Sequence, residues 1–325
     1  MANLRVVSTE LTKESSTLEI IIKHGVVTLL HSQDFNDLLS CLSFIQKYGG
    51  IFYCVFGKHP SNLGVDIENN FRNGTLSLVY STSHDIIKKN CESIIAIGEC
   101  GLDYYLDNKY SKELQKQIFK MYIELAIEFA KPIFIFDNYA FNDIIEIIDE
   151  YDSEKRANMG LWRCHKVINA PYATTEQLKE YTRRGFKILV TCGIYHNSVS
   201  NGFIEAMKEI PLDKIVVGSS NSINQRIIFN NNPSDIPIIL KKLYEIRQQG
   251  VHKETGEQIL FQIMENSIIV LGIPFTNEYK MTIKRNYVYY ISSIGKNKIY
   301  SPPKGKNKPY SPSKGKKKTF EKKSV

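Results

Sequence analysis

The chain has 325 residues, with 42 Lys and Arg against 34 Asp and Glu, and a formal net charge of +8. One α/β barrel of about 250 residues plus extensions accounts for that length better than two domains. Six scattered cysteines (Cys41, Cys54, Cys91, Cys100, Cys164 and Cys192) without C-x-x-C spacing argue against a zinc ribbon or a disulfide framework, and no run approaches the roughly 18 apolar residues of a membrane span.

The first residues are polar and of mixed charge, without the apolar stretch of a signal peptide. The expectation is a cytoplasmic or nuclear protein with reduced thiols and no membrane partner. Residues 1–23 read as an N-terminal extension, and strand and helix signals alternate after it. Strands are predicted at Val26–Leu30, Ile51–Phe56, Ile94–Ile97, Ile133–Phe136, Gly160–Cys164, Lys187–Thr191 and Ile215–Val217. After the third of these, Leu114, Ile118, Tyr122, Leu125 and Phe129 recur at three- and four-residue steps, the spacing of a helix face. A further helix is predicted over Asp235–Gln249, buried through Ile239, Leu243 and Ile246. Seven strands are one short of a closed barrel, and the missing one is expected in the Asn-rich stretch 221–232. The fold class is therefore a TIM-type (β/α) barrel over residues 24–275, followed by a transition segment at 276–294 and a disordered basic tail at 295–325.

The segment Ile97-Gly98-Glu99-Cys100-Gly101-Leu102-Asp103-Tyr104-Tyr105 places a lone carboxylate where an apolar strand is predicted to stop. Strand C-termini are where α/β barrels put their chemistry. This wording resembles the TatD family of metal-dependent deoxyribonucleases, an amidohydrolase-like barrel family. Further similarity lies in Gly57-Lys58-His59-Pro60, in Arg184-Gly185-Phe186-Lys187-Ile188, in Ile210-Pro211-Leu212 to Val217, and in Glu265-Asn266-Ser267 to Gly272, all in the family's order. The resemblance implies phosphodiester hydrolysis of DNA by water activated on a divalent metal such as Mg, Mn or Zn.

Carried over residue by residue, the family's ligand set is largely replaced. Its first histidine pair falls on Leu29 and His31, its glutamate on Glu99, its later histidines on Phe136 and Arg163, and its final aspartate on Ser220. Only His31 and Glu99 keep their types, so activity is expected to be impaired and the cofactor to be weakly held or absent. Arg163 would repel a divalent cation and could pair with Glu99 instead. A one-pleat shift would offer His165 in its place, since residues two apart on a strand share a face. His59 corresponds to a residue on the substrate side, and the family's arginine after the third histidine is Asn138. Glu99 and His31 also have structural readings, as a salt-bridged acid and a hydrogen-bonded core histidine.

From Gly295 a ten-residue pattern repeats, Gly-Lys-Asn-Lys-x-Tyr-Ser-Pro, without an apolar stripe that could bury a core. Residues 295–325 hold eleven Lys and one Glu, a net of +10, which leaves −2 for residues 1–294 of a chain whose total is +8. The basicity belongs to the tail. Lys296, Lys298, Lys304, Lys306, Lys308, Lys314, Lys316, Lys317 and Lys318, interleaved with Tyr300, Tyr310 and Phe320, suit DNA or RNA through phosphate contacts and base stacking. The same composition also suits a solubilising segment, a nuclear address or an acidic protein partner. The two functions that follow are an impaired TatD-type hydrolase and an inert scaffold that binds nucleic acid through its tail.

Overall fold

The computed structural model of the chain describes residues 2–4, 28–48, 52–105, 109–152, 164–195, 199–219 and 236–273. Eight parallel strands form one curled sheet in simple chain order: β1 Ala2–Leu4, β2 Thr28–Ser32, β3 Phe52–Phe56, β4 Ile94–Asp103, β5 Ile133–Asn138, β6 Lys166–Asn169, β7 Lys187–Val190 and β8 Ile215–Val217. Helices occupy the crossovers, as parallel pairing requires. They are α1 Phe35–Tyr48, α2 Val65–Arg72, α3 Leu76–Lys89, α4 Lys112–Glu128, α5 Phe141–Asp152, α6 Thr175–Arg183 and α7 Asn201–Glu209, with α8 Ile236–Arg247 and α9 Gly256–Leu271 closing the described chain. Among the described residues no helix is long and apolar enough to cross a membrane.

Strand alternation divides the apolar residues into two cores. Leu29, Val55, Ala96, Phe134, Val167, Leu189 and Val216 come one from each of β2 to β8, all essentially buried, and form an inner ring that Val270, Leu271 and Ile273 cover. Their neighbours Leu30, Cys54, Ile97, Ile135, Ile168, Ile188 and Val217 face outward into a larger core with the helices. A strand buried on both faces needs apolar residues at nearly every position, which is why these strands read as continuous runs. Burial of each Leu-, Ile- or Val-sized side chain is worth about 1.5–3 kcal/mol. The predicted stripe of α4 is buried at Leu114, Ile118, Tyr122 and Leu125, and that of α8 at Ile239, Leu243 and Ile246.

The structure corrects the predicted strands in three places. The eighth strand is β1, with Ala2 paired to Thr28, so it precedes the alternating pattern; residues 221–232 lie outside the described residues. The strand between β5 and β7 is Lys166–Asn169; of the predicted Gly160–Cys164, residues 160–163 lie outside the described residues and Cys164 precedes β6. Its first residue disguises it: Lys166 is 8% exposed because its ammonium meets Asp152 at 2.8 Å. Finally, β4 continues past Ile97 to Asp103, through Gly98 and Gly101 at φ 128° and 131°. A Cβ would lie 2.4 Å from the Phe134 carbonyl at the first glycine and 2.2 Å from that of Phe136 at the second, so only glycine fits either place. The tail at 295–325 and the transition segment at 276–294 are outside the described residues.

Candidate functional site at the strand C-termini

One pleat beyond the inner ring, towards the C-terminal ends of the strands, period-two alternation brings His31, Gly57, Phe136, Asn169, Thr191 and Gly218 into the next layer. Strand β4 enters this layer through a bulge. Ile97 pairs with Ile133 and Cys100 with Ile135, so Gly98 and Glu99 together oppose Phe134. The extra residue turns Glu99 into the barrel mouth, the re-aiming that bulges provide beside functional sites.

Glu99 meets Asn169 and His59 there. The Asn169 Nδ2 donates to Glu99 Oε1 at 2.9 Å, and His59 Nε2 lies 4.0 Å from Glu99 Oε2. His59 follows β3 and is held by its own turn, with Nδ1 accepting from the Ser61 amide at 3.3 Å and lying 2.8 Å from Ser61 Oγ. A ring that accepts at Nδ1 and is neutral carries its proton on Nε2, facing the carboxylate. The Phe136 ring packs on His59 with centroids 4.5 Å apart, filling the mouth with hydrocarbon. Gln33 lies in the bend after β2, and its Oε1 accepts from Asn62 Nδ2 at 2.8 Å.

A second acidic pair braces the rim. Asp103 accepts from Asn138 Nδ2 at 2.7 Å and from the Tyr105 amide at 3.1 Å, while Gln115 exchanges hydrogen bonds with its backbone. Asp137 accepts from Tyr181 Oη at 2.9 Å and from the Ala140 amide at 2.8 Å. Burial pushes both carboxyls above their usual range, outweighing the hydrogen bonds that pull them down.

The predicted site residues are distributed unevenly. His31, Glu99, His59 and Phe136 converge at the mouth. Leu29 belongs to the apolar ring one pleat below His31. Arg163 and Ser220 lie outside the described residues, and Arg163 precedes the start of β6. The residue of β6 that reaches the mouth is Asn169, paired with Phe136. His165 is exposed at the opposite end of that strand, four residues or about 13 Å away. Partial desolvation against that end of the sheet, then the nearby Lys187, lower its basicity. Glu99 thus takes an amide as its β6 partner. Sequence reasoning missed Asn169, although Val167-Ile168 closed by Asn169-Ala170-Pro171 is a short strand with a turn signal at its end.

Comparison with known proteins gives this mouth an ancestry. The profile of the family described as "TatD related DNase" matches residues 8–268. The chain belongs to that family. A TATDN1 homologue of Vairimorpha ceranae is 24% identical over 270 residues, covering 82% of this chain and 84% of the relative. An uncharacterized metal-dependent hydrolase of Buchnera aphidicola is 29% identical over 236 residues, covering 68% and 82%. The fold matches that of YjjV, a TatD homologue of Escherichia coli, with a TM-score of 0.63 at 16% identity over 81% of this chain and 93% of the other. A TatD-family hydrolase of Entamoeba histolytica superposes with a TM-score of 0.58 at 19% identity over 78% and 88%.

The residues at this TatD mouth do not fit a firmly held divalent cation. Among the described residues no three His, Cys, Asp or Glu side chains come together in a group that could hold a metal ion. The described mouth offers the imidazoles of His31 and His59, the carboxylate of Glu99 and the Asn169 amide, which turns its N–H, not its oxygen, to Glu99. Hard cations take several oxygen ligands and transition ions favour imidazole and thiolate, so such a set leaves most positions to water.

Proposed function

We propose that this chain is a TatD-family protein in which metal-dependent phosphodiester hydrolysis is weak or lost, and which binds nucleic acid through the barrel mouth and its lysine-rich tail. The observation that carries the reading is the 2.9 Å hydrogen bond from Asn169 to Glu99. A carboxylate that accepts an amide proton from across the mouth has one fewer lone pair for a cation. The Phe136 ring against His59 adds a side chain with no donor atom at all.

The tail contributes differently. With +10 on residues 295–325, its attraction for phosphate is electrostatic and falls steeply with salt. Ser301 and Ser311 each precede proline, and a phosphate on each would add about −1.5 to −2 charge, offsetting roughly a third of the tail's charge. A version ending at Ile294 is expected to lose most low-salt affinity for DNA and RNA.

The direct test of catalysis is degradation of labelled DNA by purified protein with Mg²⁺ or Mn²⁺, beside a Phe136→His/Asn169→His variant. The parent is expected to show little cleavage, and the variant to gain metal affinity first. Brisk cleavage by the parent that a chelator stops would overturn this reading.

A further inference from the structure

Three successive strands end in a tyrosine at the same rim. Tyr105 follows β4, Tyr139 follows β5 and Tyr172 follows β6, and their rings form one stack. The Tyr139 and Tyr172 planes are 3° from parallel with centroids 5.4 Å apart, and Tyr105 joins Tyr139 at 6.1 Å and 24°. All three are exposed, at 40%, 61% and 37% of their surface. Contiguous aromatic surface left in water marks interaction sites more often than stable exteriors. Tyr139 also holds φ at 59°, a left-handed backbone that is rare for an aromatic residue. Backbone strain of this kind clusters where a side chain must be presented in a particular direction.

Beside the stack lies a cleft of about 340 Å³, lined by Tyr139 and Tyr172 together with Tyr104, Lys112, Asn142 and Gln177. Its carboxylates are already engaged. Asp143 holds Lys116 at 2.8 Å and Tyr104 Oη at 2.6 Å, and Asp137 is taken by Tyr181 and the Ala140 amide. A cationic guest would therefore find aromatic faces but no available counter-charge. Lys112 stands 4.2 Å over the Tyr104 ring, which leaves a cation near the rings for an anionic backbone. Flat π faces beside one cation suit planar bases joined by phosphates.

We propose that Tyr105, Tyr139 and Tyr172 form a stacking platform for the unpaired bases of a single-stranded nucleic acid, with Lys112 beside it to meet the backbone. Every base has a π face, so this platform accepts DNA and RNA without sequence preference. A duplex keeps its faces stacked internally and gains nothing from it. The platform rests on the reading of the mouth as a surface that faces nucleic acid, and not on whether hydrolysis survives.

The test uses the full chain in chelator and measures anisotropy of labelled oligothymidylate and oligouridylate of about 15 nucleotides, with a blunt duplex as control. Salt of about 0.2 M mutes the tail. Tyr139→Ala and Tyr172→Ala are each expected to weaken single-strand binding about tenfold, with Tyr139→Phe within about twofold of the parent and the duplex unchanged. Loss on both the DNA and the RNA arm supports the platform, and loss on one alone would contradict a platform that reads base faces and not the sugar. Affinity within about twofold of the parent for both alanine variants would overturn it, as would equal loss on the duplex or failure of the parent to bind a single strand. Mg²⁺-dependent cleavage by the parent would overturn the preceding reading and leave these binding results standing.

Discussion

The inner apolar ring and the polar layer one pleat above it are built from the same strands, yet they have different constraints. Leu29, Val55, Phe134, Val167, Leu189 and Val216 are interchangeable only with side chains of like size, because each is closed in by its neighbours around the ring. Two residues further along, Phe136 and Asn169 stand where the resemblance implies ligands or where the strand register reaches the mouth, and the sheet is undisturbed. The barrel stores its folding energy in the ring and the helix layer, while chemistry is carried by strand ends that can change without unfolding it.

The sharpest way to break this contrast is to hollow out the ring. Phe134→Ala should lower the unfolding free energy by about 3–5 kcal/mol, read from denaturant midpoints at constant slope. A loss under about 1 kcal/mol would mean that the ring does not bear the load assigned to it. Next in size is the ion pair between buried Arg247 and partly exposed Glu254. Arg247 is wholly buried, donates to the Met207 and Ile210 carbonyls at 3.0 and 2.9 Å, and pairs with Glu254. Arg247→Met leaves the buried Met207 and Ile210 carbonyls without their donor and should cost about 1–3 kcal/mol.

The mouth is expected to respond weakly. Glu99→Gln keeps an oxygen to accept from the Asn169 amide and removes only the charge facing His59, so the unfolding free energy should stay within about 1 kcal/mol of the parent. A large destabilisation would show that Glu99 is structural. The rim acids sharpen the comparison through pH. Because Asp103 and Asp137 are raised above the ordinary 3.8, the folded chain holds protons that the unfolded chain has already released. Their contribution is therefore fully present below that value and is lost as pH rises through the window above it. Asp137→Asn should flatten the decline in melting temperature across that window, an effect smaller than either core substitution.

These differences explain what could be read in advance. The ring and the outer core announced themselves because strands buried on both faces need continuous apolar runs, and α4 and α8 because their buried stripes repeat at helical spacing. Strand β1 escaped notice because three residues carry no periodicity. Strand β6 was placed too early because Leu161 and Trp162 look like strand core, whereas the true start is a lysine neutralised by Asp152. In the described sheet it is Asn169 that pairs with Phe136, while Arg163 lies outside the described residues. Glu99 was found from its glycine-flanked motif, but its partners were not, since a hydrogen bond across 70 positions leaves no local signal. The tyrosine stack was hidden for the same reason: its members lie 34 and 33 residues apart and meet only when three strand ends are brought side by side.

The central claim, that the mouth has exchanged cation ligands for an amide and a phenyl ring, is tested most directly by calorimetric titration of Mn²⁺ and Zn²⁺ into the parent and the Phe136→His/Asn169→His variant. The account predicts no saturable binding at the mouth of the parent and a new site in the variant whose heat disappears when Glu99→Gln is added. One equivalent of metal held by the parent more tightly than about micromolar, and lost with Glu99→Gln, would contradict it.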